Sequence, residues 1–127
     1  LSPRTYRVQT WRKTGTPGWQ DEGPTEPLSS GVNFGFGAVT AAPPNTQGTL
    51  GQAAACKEDD HTTDIVNTAC VGFNSRGLPI DSVGSPDGSG AFYLRDSLTV
   101  YGVTVSATGM VRVWRSPLAA TPTWSLQ

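Results

Sequence analysis

The sequence predicts a mainly β chain of antiparallel strands, sandwich-like in architecture. Two observations carry this. Fifteen glycines and ten prolines among 127 residues punctuate the chain too often for long helices. Between the punctuation lie runs of about 5–8 residues rich in Val, Thr, Tyr, Phe and Trp, the pattern of short half-buried strands. Turns between these runs are tight, whereas parallel pairing needs crossovers of about a dozen residues or more. Hydrophobic residues make up 36% and charged residues 15%, so one modest core is expected rather than a helical bundle. The length fits one domain spanning residues 1–127.

Within that domain, residues 1–68 form a loop-rich half. Thr5–Arg12 alternates as a strand, with Tyr6 and Val8 on one face and Arg7, Gln9 and Trp11 on the other. Residues 13–30 are turn-rich and hold Trp19. Gly31–Gly37 reads as a strand with Val32, Phe34 and Phe36 on one face. Residues 40–55 read as loop, with one helical turn possible over Gly51–Cys56.

Residues 69–115 read as an antiparallel meander. Its strands are Cys70–Asn74, an extended Leu78–Asp81, then Ala91–Arg95, Thr99–Val105 and Met110–Arg115, with the loop Ser82–Gly90 between the second and third. In the last hairpin Tyr101, Val103 and Val105 share a face, as do Val111 and Val113, while Arg112 and Trp114 share the opposite one. One side is expected to be core and the other more polar. Residues 116–127, with two prolines and Trp124, form an extended tail over the sheet.

The net charge of −1 excludes a strongly basic nucleic-acid module on bulk charge. No stretch approaches the roughly 20 apolar residues of a membrane span. Cys56 and Cys70 flank a polar segment holding Lys57, Glu58, Asp59, Asp60, His61 and Asp64. A disulfide would close that segment and imply an oxidising compartment, and two reduced buried thiols are the alternative. A zinc site would need both cysteines, His61 and an acid, in a spacing that matches no zinc pattern. No metal or cofactor is therefore expected. His61 is the sole candidate base for a Ser or Cys nucleophile, and it lies in an acidic, solvated segment. The carboxylates there have no apolar cover to raise a pKa. No phosphate-binding glycine loop is present. These residues point away from an enzyme.

Val71-Gly72-Phe73-Asn74-Ser75-Arg76-Gly77-Leu78-Pro79, then Phe92-Tyr93-Leu94, then Val100 through Trp114 with Val103-Thr104-Val105-Ser106-Ala107-Thr108-Gly109-Met110-Val111-Arg112-Val113, resembles the C-terminal half of the GspH/FimT family. These are minor pilins of type IV pili and minor pseudopilins of type II secretion. The resemblance covers roughly residues 69–115, and Gly31-Val32-Asn33-Phe34 is loosely similar to an earlier strand of the family. It implies a non-enzymatic pilin head that contacts other minor and major pilins or pseudopilins and helps to prime the filament tip. It also implies a basic leader, a cleavage site and an N-terminal apolar helix upstream of Leu1, a helix absent from this chain. That helix would anchor the subunit in the inner membrane with a periplasmic head. The loops Cys56–Cys70 and Ser82–Gly90 are then candidate contact surfaces.

One branch of the family binds DNA. Arg76, Arg95, Arg112 and Arg115, with Trp114 and Trp124, form a candidate DNA or partner contact of arginine and aromatic type. That branch places basic residues after the hairpin glycine and in the tail. Here Met110 follows Gly109 and the tail after Arg115 has no charged side chain, which argues against DNA. A different class, a secreted carbohydrate-binding β-sandwich, would use Trp11, Trp19, Trp114 and Trp124 as stacking platforms.

Overall fold

The structure, a computed structural model, describes residues 4–127. Among these residues the regular structure is all β. Eleven strands form in order: β1 Thr5–Tyr6, β2 Gln9–Arg12, β3 Gly18–Asp21, β4 Glu26–Pro27, β5 Asn33–Phe34, β6 Gly72–Phe73, β7 Pro79–Ile80, β8 Ala91–Arg95, β9 Thr99–Val105, β10 Val111–Pro117 and β11 Ser125–Leu126. Five of them make the main antiparallel sheet, in the order β11-β10-β9-β8-β5. The other six pair as three two-stranded ribbons: β1 with β4, β2 with β3, and β6 with β7.

The long strands are β8, β9 and β10, where the Val, Thr and aromatic runs are densest. The turns between them are set by side chains. Asp96 accepts the backbone N–H groups of Leu98 and Thr99, each at 2.8 Å, closing the β8–β9 turn. Ser106 accepts from Met110 N–H at 3.2 Å in the β9–β10 turn.

The closed face of the sheet carries Ala91 and Tyr93 from β8, Val100, Gly102 and Thr104 from β9, and Trp114 and Ser116 from β10, all buried. Tyr93 lies at its centre. Its ring crosses β9 over Gly102, where an added Cβ would stand 3.0 Å from the ring. Phe36 meets the ring edge-on at 5.9 Å and Trp124 packs on it at 6.0 Å. Its hydroxyl donates to Gln47 Oε1 at 2.8 Å, and burial pushes the phenol pKa up to about 12.

The cover over this face is irregular chain. Gln52 donates through Nε2 to Tyr93 O at 2.9 Å and accepts Tyr93 N–H at Oε1 at 2.8 Å. A side-chain amide thus satisfies backbone groups of β8, and Ala53 N–H adds a bond to Ala91 O at 2.7 Å. The expected helical turn over Gly51–Cys56 does not form, and an extended path along β8 replaces it. The tail turns back after Pro117, lays Trp124 on Tyr93, and pairs β11 with the outer edge of β10.

The expected single strand Thr5–Arg12 divides into β1 and β2. Residues 13–30 contain β3 and β4 as well as turns. The core side of the last hairpin is the Trp114 side, while Val111 and Val113 face outward. The reason is the cover: segment 36–55 and the tail both fold onto the Tyr93 side.

Gly102→Ala places a methyl against the Tyr93 ring, and overpacking of this kind costs about 1–3 kcal/mol. Urea denaturation should show a lower midpoint with an unchanged slope.

Candidate functional site

Two surfaces stand out once the fold is in place. The first is the open face of the main sheet. Register brings Phe34, Leu94 and Tyr101 into one row across β5, β8 and β9, ending at Arg115 on β10. Phe92, Val103 and Val113 form the next row, and Val111 lies beyond it. Phe34, Phe92, Leu94, Tyr101 and Val103 are only partly buried. Val113 is 42% exposed and Val111 56%. Val105, at the end of this face, is buried. A run of apolar side chains left open in this way makes the face a candidate contact surface.

The second surface is built by β2, β3 and the segment between the cysteines. Cys56 and Cys70 are disulfide-bonded, with Cα atoms 4.9 Å apart and 14 residues of separation. The enclosed loop satisfies itself with polar contacts. Lys57 pairs with Asp64, both in backbone register and by side-chain ion pair. Asp60 accepts the backbone N–H groups of Thr62 and Thr63 at 2.8 Å and the Thr63 hydroxyl as well. Those bonds, led by the Thr63 hydroxyl, hold the Asp60 carboxyl well below the usual carboxylate range.

This loop docks on the β2–β3 hairpin. Trp11 and Trp19 are directly opposed across the hairpin, with ring centroids 5.2 Å apart in an edge arrangement. His61 packs on Trp11 at 4.2 Å and stands 6.0 Å from Trp19. Asp59 Oδ1 accepts the Trp19 backbone N–H at 3.0 Å. Gly18 permits that approach, because a Cβ there would lie 2.9 Å from Asp59 Oδ2. The sequence reading put His61 in solvent. Its partners become visible only when the disulfide loop is folded back on the hairpin. A signal was available in Trp11 and Trp19, which flank the turn residues Gly15, Thr16 and Pro17.

The arginines and tryptophans singled out in the sequence are spread over the molecule. Arg76 is exposed in the turn after β6. Arg95 ends β8, and its side chain runs 3.4 Å from the place a Cβ would take on Gly37. Arg112 and Arg115 are both exposed on β10, three residues apart and so on opposite faces. Trp114 is only 7% exposed, and its indole N–H donates to Thr104 Oγ1 at 3.0 Å. Trp124 donates to Ala41 O at 2.9 Å while its ring lies on Tyr93. Both rings are thus engaged by the protein. The structure brings Arg112 and Trp114 to one side of β10 and leaves Arg115 on the other. The Ser82–Gly90 loop is pinned by Asp81, whose Oδ1 accepts the N–H groups of Val83 and Ser85.

No family model matches the chain, and neither a curated protein nor a solved structure matches it.

Reduction of the Cys56–Cys70 bond should lower stability by about 3 kcal/mol, as loop closure of this length implies. Urea unfolding with and without a phosphine reductant checks this. Asp60 adds an acid dependence. Its folded pKa lies below the unfolded value of about 3.9, so its contribution is complete at neutral pH and is lost as pH falls from about 4 toward the lowered value. Asp60→Asn should therefore destabilise the protein at pH 7, with the gap to wild type narrowing as pH falls toward 3.

Proposed function

We propose that this domain is the globular head of a minor pilin or minor pseudopilin of the GspH/FimT kind, a structural subunit that works by contact in priming a type IV pilus or type II secretion filament. The observation that carries the reading is the open sheet face of Phe34, Phe92, Leu94, Tyr101, Val103, Val111 and Val113. The resemblance implies an apolar helix joined to the head, and a sheet with one face closed and one face apolar and open suits such a helix. Completing the burial of Val111 and Val113, 56% and 42% exposed, would contribute roughly 1 kcal/mol each.

Two further features support the reading. The disulfide fits a periplasmic head, because such bonds persist in oxidising compartments. The motif residues Val103 through Val113 form the β9–β10 hairpin, with Ser106 holding its turn. In this reading the partners are other pilins or pseudopilins of the filament, and the membrane is reached only through the helix.

The test uses the full-length subunit in a host that assembles the filament. Val113→Glu puts a carboxylate on the open face. It should change the stability of the head by less than about 1 kcal/mol, the usual scale for exposed positions. Incorporation into sheared filaments, followed by immunoblot, should fall to background. Normal incorporation would remove the open face from the account. A coding sequence whose upstream part holds an ordinary secretory signal, with no apolar helix, would remove the reading itself.

A further inference from the structure

We infer that the Trp11–Trp19 face of the β2–β3 hairpin is a saccharide-binding site. The inference is independent of the filament reading and rests on a contrast among the four tryptophans. Trp114 and Trp124 each give their indole N–H to a protein acceptor. Trp11 and Trp19 have no acceptor for theirs among the described residues, and Trp19 is 38% exposed. Trp19 is the exposed ring and Trp11 lies half-buried beside it with His61 packed on it, so the pair offers one open aromatic body and two unengaged donors.

The same face continues in polar groups suited to hydroxyls. Gln9 and Asp21 form the neighbouring rung, two residues along each strand from Trp11 and Trp19 and so about 7 Å away. Gln9 Nε2 donates to Asp21 Oδ1 at 2.7 Å, and Arg7 donates to Asp21 Oδ2 at 3.3 Å. Gln9 Oε1 is left as a free acceptor among the described residues. A planar amide, a carboxylate and a guanidinium thus sit next to a stacking surface. Pyranose rings carry this same pairing of a C–H face with a rim of donors and acceptors.

The site is also held rigid before any ligand arrives. The disulfide, the Asp60 turn and the Asp59 contact to Trp19 N–H fix His61 against Trp11. A rigid platform loses little entropy on binding. A cationic ligand would engage the ring faces by cation–π contact and make no use of the two indole N–H donors, whereas sugar hydroxyls accept from them.

Titration of 15N-labelled protein with cellohexaose, chitohexaose and xylohexaose tests the inference. At least one sugar should shift the indole N–H signals of Trp11 and Trp19 while leaving those of Trp114 and Trp124 in place. Trp19→Ala should weaken binding tenfold or more. Gln9→Ala, which removes one half-buried side chain and its bond to Asp21 while leaving the ring pair in place, should weaken it several-fold and keeps the test valid if the tryptophan variant misfolds. No shift with any of the three sugars at millimolar concentration would overturn the inference. So would shifts that persist unchanged in both variants, or a response to an arginine peptide alone.

Discussion

Tyr93 is the point at which both parts of the main sheet's cover, segment 36–55 and the tail, meet the sheet. Its ring fills the space above Gly102, its edge receives Phe36, its face receives Trp124, and its hydroxyl and backbone hold Gln47 and Gln52. The irregular segment 36–55 and the C-terminal tail have little regular structure of their own, so a backbone that cannot pair with strands must find partners elsewhere. Here Gln47 takes both the carbonyl and the N–H of Gly51, Ala53 N–H reaches Ala91 O on β8, and Ala41 O accepts the Trp124 indole N–H. The small core follows from this: a few large buried groups and many satisfied polar ones, in a chain with 36% hydrophobic residues.

Closing one face of the sheet in this way leaves the other face to the valines. Trp114 and Val113 are neighbours in sequence with opposite fates, one 7% and the other 42% exposed. That asymmetry supports the proposed role as a filament head, in which the open face meets an apolar helix. The disulfide loop takes no part in it. It folds instead on the β2–β3 hairpin, where it braces an aromatic surface in a separate two-stranded ribbon.

The strands β8, β9 and β10 were legible because each is long enough to display alternation, and the residues between them are strong turn formers. β3, β4 and β11 were not, since two to four residues carry no period. Which side of the last hairpin is core stayed open for a different reason. Alternation tells which residues share a face, but which face is buried depends on Pro43, Gln47 and Trp124, all distant in sequence. The same limit hid the contact of His61 with Trp11, which needs the loop to fold across a separate hairpin. Arg112 and Arg115 were grouped in one candidate contact although their odd spacing on a strand puts them on opposite faces, whereas pairing of Cys56 with Cys70 followed from their being the chain's two cysteines around a polar loop.

The most direct test of the account is the accessibility of the valine face in the assembled subunit. Val113→Cys adds a third cysteine to a chain whose other two are bonded, so thiol labelling reads that position alone. The account predicts rapid labelling in the isolated domain and strong protection in the full-length subunit within its filament, with an exposed control at Ser97→Cys labelled in both. Equal labelling of Val113→Cys in the two states would contradict it.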